Sequence, residues 1–206
     1  MKLWYSTTSP YVRKVRATAA HHGLNGQIEL QKVTTAFSAD SPHNRSTPIG
    51  RIPILQTDDG TWLFNSNVIA EYLDSIGKGS TLYPKGQERW KVLNLHALAE
   101  GMLENTVVML AEKLTRPQAE WWTKRHTQIQ QRNLDTLPML AEHLKPFGTE
   151  LNIGTLFAAC AIDFMLFRDN LIDARQTIAD QGLERWAEDM NTLYPCLAST
   201  KPYVSG

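Results

Sequence analysis

Only two of the 206 residues are cysteine, Cys160 and Cys196, and no CxxC spacing relates them. Two distant thiols in apolar, helical-looking surroundings make no disulfide framework, and a reducing compartment fits them. Net charge is also lacking. Lysine plus arginine number 21 and aspartate plus glutamate 21, so at whole-chain level there is no electrostatic footprint for nucleic acid or for an anionic membrane surface. No apolar run approaches the roughly 18 residues that a membrane span requires. The opening Met1-Lys2-Leu3-Trp4-Tyr5 has neither the apolar region nor the small-residue cleavage site of a secretory leader. A cytoplasmic protein with no nucleic-acid or membrane partner is expected. The six histidines are scattered without the carboxylate or cysteine spacing of a metal site, so no metal is expected either. Internal repeats and low-complexity tracts are missing as well.

What is present is ordinary globular material, 42% hydrophobic and 20% charged, long enough for one large or two small domains. The most informative stretch is Tyr5-Ser6-Thr7-Thr8-Ser9-Pro10-Tyr11-Val12-Arg13-Lys14-Val15. It reads as a strand end, a polar turn and a helix start. Pro10 suits the first helical position, where a missing N–H costs nothing. Ser9 then becomes the N-cap, with its hydroxyl beside the unpaired amides of the first turn. Such a turn gathers backbone donors and partial positive charge at one point, where an anion or an ionising thiol is stabilised. Arg13, Lys14 and Arg16 follow early in the helix, where the dipole disfavours cations, which points beyond a plain cap.

Residues 2–6 read as a strand, and residues 10–22 as a helix with Gly23 as a left-handed cap. Residues 27–33 read as a second strand, with Ile28 and Leu30 alternating with polar neighbours. The polar stretch 34–48 is expected to hold a short irregular helix or to line a site. Residues 51–57 and 61–64 are strands joined by the hairpin turn Asp58-Asp59-Gly60. Asn65-Ser66 heads a helix expected to bury Val68, Ile69, Tyr72, Leu73 and Ile76, and Gly77 ends it. This order predicts a parallel strand–helix–strand unit followed by an antiparallel hairpin and a helix, a thioredoxin-like α/β arrangement over 1–78. Residues 79–85 form the best linker. Residues 86–206 are helical in period. A long helix over 87–114 carries Trp90, Leu93 and Met102 among its apolar positions, and Arg116-Pro117 breaks it. A second spans 118–144, where Pro138 is expected to introduce a kink. Asn152 caps a strongly apolar central helix, whose Asp163 needs a partner. One or two helices cover 171–193, and an extended tail follows from Pro195. His21 and His22 are expected to be solvated at a helix end, Trp121 and Trp122 to be core, and Cys160 to be a small core residue.

Four segments at matching positions make the chain resemble the glutathione S-transferase superfamily: Thr8-Ser9-Pro10-Tyr11-Val12-Arg13-Lys14-Val15, Pro48-Ile49-Gly50-Arg51-Ile52-Pro53-Ile54-Leu55, Phe64-Asn65-Ser66-Asn67-Val68-Ile69-Ala70-Glu71-Tyr72-Leu73, and the helix following Asn152. The first looks most like bacterial members with Ser-Pro-Phe/Tyr-x-Arg-Lys. The resemblance implies a thioredoxin-like glutathione-binding domain, an all-helical domain and, by the family's habit, a homodimer. It gives Ser9 the role of hydrogen-bonding the glutathione sulfur, although Tyr5, Thr7 and Thr8 compete for it. It makes Pro53 the family's cis-proline, with the Ile52 backbone pairing with the cysteinyl unit. Asn65 and Ser66 take the γ-glutamyl end, and Arg51 lies where it could approach a carboxylate.

The implied function is conjugation of the thiolate of reduced glutathione, as co-substrate, to a small hydrophobic electrophile, in the manner of a detoxification enzyme. Tyr11, Met102 and Met109 are candidates for the electrophile pocket. Three departures from the family pattern stand out. Asn65 replaces the usual acid, which removes charge attraction for the γ-glutamyl ammonium. Asn152 and Thr155 replace a Ser/Thr–Asp capping box. No cysteine occupies the first turn, which argues against thiol–disulfide members. A non-catalytic binding or interaction protein on the same fold, or a glutathione-dependent isomerase or peroxidase, are the alternatives.

Overall fold

The computed structural model describes residues 1–33, 47 and 49–204. The loop expected over 34–48 thus lies, apart from Thr47, outside the described residues. The chain divides into two compact units, Met1–Tyr83 with Cys196–Gly206, and Pro84–Pro195.

In the first unit, strands β1 (Lys2–Tyr5), β2 (Glu29–Lys32), β3 (Ile54–Gln56) and β4 (Trp62–Phe64) form a sheet in the order β2-β1-β3-β4. β1 and β2 are parallel, and helix α1 (Pro10–His21) lies between them in sequence. The other two pairs are antiparallel. The mixed sheet is the one expected from sequence. Leu3 stands opposite Leu55, and Leu55 opposite Leu63. Leu3 and Leu55 join Val15 and Ala19 of α1, Leu24, and Ile69 and Leu73 of helix α2 (Ser66–Ile76) in one apolar core. Gly23 closes α1 at φ +68°, with the Leu24 amide reaching back to the Ala19 carbonyl at 2.8 Å.

The α2 face differs from the expected one. Val68 and Ile76 are exposed, and Ser66, Ile69, Ala70 and Leu73 turn inward. This stripe has the i, i+3, i+4, i+7 spacing of a helix face. Leu30 is also exposed, on β2 at the edge of the sheet.

His22 is a larger correction. It is not solvated but 3% exposed, at the centre of a polar knot. The Gly79 amide donates to its Nδ1 at 3.1 Å, so Nε2 carries the proton and donates to Asp74 Oδ1 at 2.9 Å. Asp74 also accepts from the Leu82 amide at 2.7 Å and the Thr81 hydroxyl at 2.6 Å. A Cβ on Gly77 would stand 2.2 Å from the His22 ring, so only glycine fits there. The knot draws residues 79–83 onto the first unit. The expected linker 79–85 is divided accordingly, with Leu82 fully buried. The far end of the chain also differs from expectation, since its last segment groups with the first unit rather than with the helices. It begins with one helical turn, Pro195–Ala198, where a fully extended tail was expected.

The second unit is helical: α3 (Gly86–Thr115), α4 (Thr123–Leu144), α5 (Ile153–Phe167), α6 (Asp169–Ile172), α7 (Arg175–Asp180) and α8 (Leu183–Leu193). Twelve of the fifteen α5 residues are buried, which makes it the central element. Asn152 and Thr155 form a reciprocal capping box: the Thr155 amide donates to Asn152 Oδ1 and the Asn152 amide to Thr155 Oγ1, both at 3.0 Å. The departure from the family pattern therefore preserves the cap. Asp163 finds its partner in Asn191 Nδ2 at 2.8 Å. Cys160 is core, as expected.

Trp90 and Trp122 are 65% exposed and not core. On α3 the inward stripe is Val92, Leu95, His96, Ala99, Met102 and Leu103, which leaves Trp90 outside. Trp122 is fixed through its backbone. Its amide and His126 Nε2 both donate to Glu112, each at 2.9 Å. These bonds, the amide first, hold the Glu112 carboxyl below its usual range. Among the described residues no helix is long and apolar enough to cross a membrane.

Candidate functional site

The sheet register assembles the site in the first unit. Trp4 on β1 is paired with Ile54 on β3, and Ile54 with Phe64 on β4. The chain leaves β1 one residue past Trp4 and enters β3 at Ile54. It leaves β4 at Phe64. Hence the Ser6–Ser9 turn, the residues just before Ile54 and the Asn65-Ser66 pair all lie at the same end of the sheet. Ser9, Arg51, Ile52, Pro53, Asn65 and Ser66 are brought together by topology, although more than fifty residues separate the first from the last.

Each of these positions has a definite local structure. Ser9 is the N-cap of α1, with extended backbone (φ −74°, ψ 123°) and Pro10 directly after it. Its Oγ accepts the Val12 amide at 3.3 Å. Because that bond uses a lone pair, the hydroxyl proton is available to a second acceptor. The Ile52–Pro53 peptide bond is cis; Pro53 is buried, Ile52 half-buried and Arg51 exposed. Asn65 caps α2 by accepting the Asn67 amide at 2.8 Å. It does so at φ +69°, ψ 130°, a region costly for any residue with a side chain, at roughly 1–3 kcal/mol. Strain of this kind persists where the surroundings hold it, and it clusters at ligand sites. Ser66 is 3% exposed at the head of the same helix.

The three bases of α1 do not face outward as a group. Lys14 is fully buried and Arg13 nearly so. The Lys14 ammonium donates to Asn67 Oδ1, which ties α1 to the start of α2. Arg13 Nη2 donates to the Leu197 carbonyl at 3.2 Å. The Arg16 guanidinium stacks over the Tyr5 ring, 5.5 Å from its centroid. Nothing in the local sequence signals either the Lys14 or the Arg13 contact.

Of the residues assigned to an electrophile pocket, Tyr11 is half-buried in the first turn of α1. Met102 and Met109 are 2% and 1% exposed in the helical unit. They pack inside α3's inward stripe, so neither offers its side chain to solvent. Both cysteines are buried, and burial pushes the Cys196 thiol up from its ordinary range. Neither cysteine therefore offers an accessible thiolate. Among the described residues no cluster of histidine, cysteine, aspartate and glutamate is arranged to hold a metal. A depression of about 350 Å³ lined by Met1, Lys2, Gln56 and Asp58 lies at the opposite end of β1 and β3, away from these residues.

Comparison with known proteins points to one family. The family model described as glutathione S-transferase, N-terminal domain, matches residues 8–76. The uncharacterized GST-like protein YibF of Escherichia coli K12 is 30% identical over 173 residues, 82% of this chain and 83% of that protein. A glutathione transferase family member from Pseudomonas fluorescens Pf-5, crystallised with bound glutathione, is 30% identical. It aligns over 98% of this chain and 99% of its own, with a TM-score of 0.89. The crystal structure of such a Pseudomonas fluorescens Pf-5 family member with bound S-(propanoic acid)-glutathione gives 31% identity, coverage of 99% and 100%, and a TM-score of 0.85.

Proposed function

Since the chain belongs to the glutathione S-transferase superfamily, we propose that it binds reduced glutathione at this end of the sheet and conjugates it to a small hydrophobic electrophile. The observation that carries the reading is the convergence of two helix starts, capped by Ser9 and by Asn65, on one sheet end. An anion is favoured at each.

The cysteinyl sulfur docks against Ser9. The Ser9 hydroxyl accepts from Val12 on one side and donates to sulfur on the other. A hydrogen bond to a charged group contributes about 1.5–3 kcal/mol, and each pKa unit corresponds to about 1.4 kcal/mol. Ser9 with the first-turn amides thus lowers the thiol pKa by one or two units on the order-of-magnitude scale of those values. The thiolate forms the new C–S bond to the electrophile, and the displaced pair leaves with the leaving group. Ile52 offers its backbone to the cysteinyl unit. Asn65 and Ser66 take the γ-glutamyl end, with Arg51 near a ligand carboxylate. Tyr11, two residues after Ser9 and half-buried, is our candidate to meet the electrophile. The superfamily's usual assembly supports a cytoplasmic homodimer with a detoxifying role.

Asn65 favours a second reading, a binding protein with a weakened glutathione site. Calorimetry with glutathione, followed by an activity panel of aryl halides, hydroperoxides and mixed disulfides, separates the two. Binding with turnover of an aryl halide supports the transferase. Absence of heat at millimolar glutathione sinks it.

A further inference from the structure

The turn that carries Ser9 is held by a segment nearly two hundred residues away in sequence. The Tyr203 amide donates to the Thr7 carbonyl at 3.3 Å, two residues before Ser9. Arg13, one helical turn after Ser9 and bonded to it through its own amide (Arg13 N to Ser9 O, 3.0 Å), donates Nη2 to the Leu197 carbonyl at 3.2 Å. The turn is therefore gripped on both flanks by one stretch of chain. That stretch is itself anchored. Leu197 is fully buried, Cys196 and Thr200 nearly so, and the Thr200 hydroxyl donates to the Cys196 carbonyl at 2.8 Å. Tyr203, by contrast, is 53% exposed, so what binds it to the turn is its main chain and not burial of its ring.

We propose that the segment from Leu197 to Tyr203 is a positioning strap for the Ser9 turn, with the Tyr203 amide as its decisive contact. The inference rests on the proposed role of Ser9. A hydroxyl stabilises a thiolate only when its oxygen is held at hydrogen-bonding distance and angle, and such bonds weaken steeply with misalignment. Freed at Thr7, the turn samples orientations in which Ser9 still caps α1 but points less well at sulfur. The bound thiol then ionises less readily, while the fold is intact.

Because the contact is made by a backbone N–H, two substitutions at one position separate strap from side chain. Tyr203→Pro removes the donor, and Tyr203→Ala removes the ring but keeps the donor. At a half-exposed position outside any helix or strand, neither threatens folding, and a thermal melt of each variant verifies this. The charged groups around the turn, Arg13, Lys14, Arg16 and Lys201, are the same in both, so a shift reports geometry. The measurement is the pH titration of the ultraviolet thiolate absorbance of bound glutathione, with kcat/KM followed over the same range.

Tyr203→Pro is expected to raise the bound thiol's pKa by about half a unit to one unit, which lowers kcat/KM about three- to tenfold below that pKa and little above it. Tyr203→Ala should titrate like the parent. Equal titrations for Tyr203→Pro and the parent overturn the strap, as does an equal shift in both variants. If the parent itself binds glutathione without lowering its thiol pKa, the role of Ser9 fails and the strap fails with it. The parent titration thus tells the two failures apart.

Discussion

Removing the carboxylate at the centre of the His22 knot should weaken the first unit out of proportion to the size of the change. In Asp74→Ala, three donors lose their acceptor: His22 Nε2, the Leu82 amide and the Thr81 hydroxyl. Thr81 is exposed and turns to water. His22 and Leu82 are buried and cannot. A stranded buried donor costs about 1–3 kcal/mol, so the two together give about 2–6 kcal/mol, a large share of the roughly 5–15 kcal/mol that holds a domain folded. Asp74→Asn keeps one side-chain oxygen for those two buried donors and should lose only about 1–2 kcal/mol.

Gly77→Ala attacks the same knot from the other side, because its Cβ would stand 2.2 Å from the His22 ring. The double variant Asp74→Ala/Gly77→Ala should lose less than the sum of the two, since both disrupt one network. Urea denaturation monitored by far-ultraviolet circular dichroism measures all four variants against the parent. An Asp74→Ala midpoint equivalent to less than about 0.5 kcal/mol of loss, the scale of an ordinary surface change, would refute the argument that the knot fastens residues 79–83 to the first unit.

Three further outcomes are expected. Ser9→Ala should lower stability by about 1 kcal/mol through loss of the cap and raise the bound thiol's pKa by about one unit, the hydroxyl's share beside the first-turn amides; unchanged ionisation in a folded variant removes Ser9 from the chemistry. Asn65→Asp retains the cap, since the two residues cap alike, and adds charge attraction for the γ-glutamyl ammonium. At this exposed position it should tighten glutathione about two- to fivefold by calorimetry, and weaker binding would contradict the assignment. Glu112 contributes stability that is present above a glutamate's unfolded pKa, near 4.3, and is lost as pH falls through its depressed folded value. Glu112→Gln should therefore flatten the acid side of a plot of stability against pH, and an identical slope for parent and variant would deny the clamp on Trp122.

Local features of this molecule were readable from sequence wherever the physics is itself local. Pro10 after Ser9, Gly23 after α1, the Asp58-Asp59-Gly60 turn and the Asn152 cap each depend on a few neighbouring residues, and each stands where its chemistry puts it. Periodicity located the helices but set their rotation less well. Val68, Ile76 and Trp90 are apolar and correctly spaced, yet a neighbouring stripe packs better and they remain outside. Contacts between distant segments left no trace. His22 looks like a solvated helix end because Asp74, Gly79 and Leu82 are more than fifty residues away. Arg13 and Lys14 look like an anion site because Leu197 and Asn67 cannot be seen from α1. The candidate site lies between these cases. Its residue types were legible, and its assembly depended on a strand register that only three-dimensional pairing supplies.

That register has a consequence for residues that touch no ligand. Successive residues of a strand point to opposite faces and are about 3.3 Å apart, so sliding β3 by one step against β1 would carry Pro53 that far from Ser9 and turn Leu55 out of the core. Leu3 and Leu55, meeting in mid-sheet, thus act as the yardstick by which the Ser9 turn and the Pro53 segment are spaced. Exchanging either leucine would therefore disturb that spacing as well as the core they share.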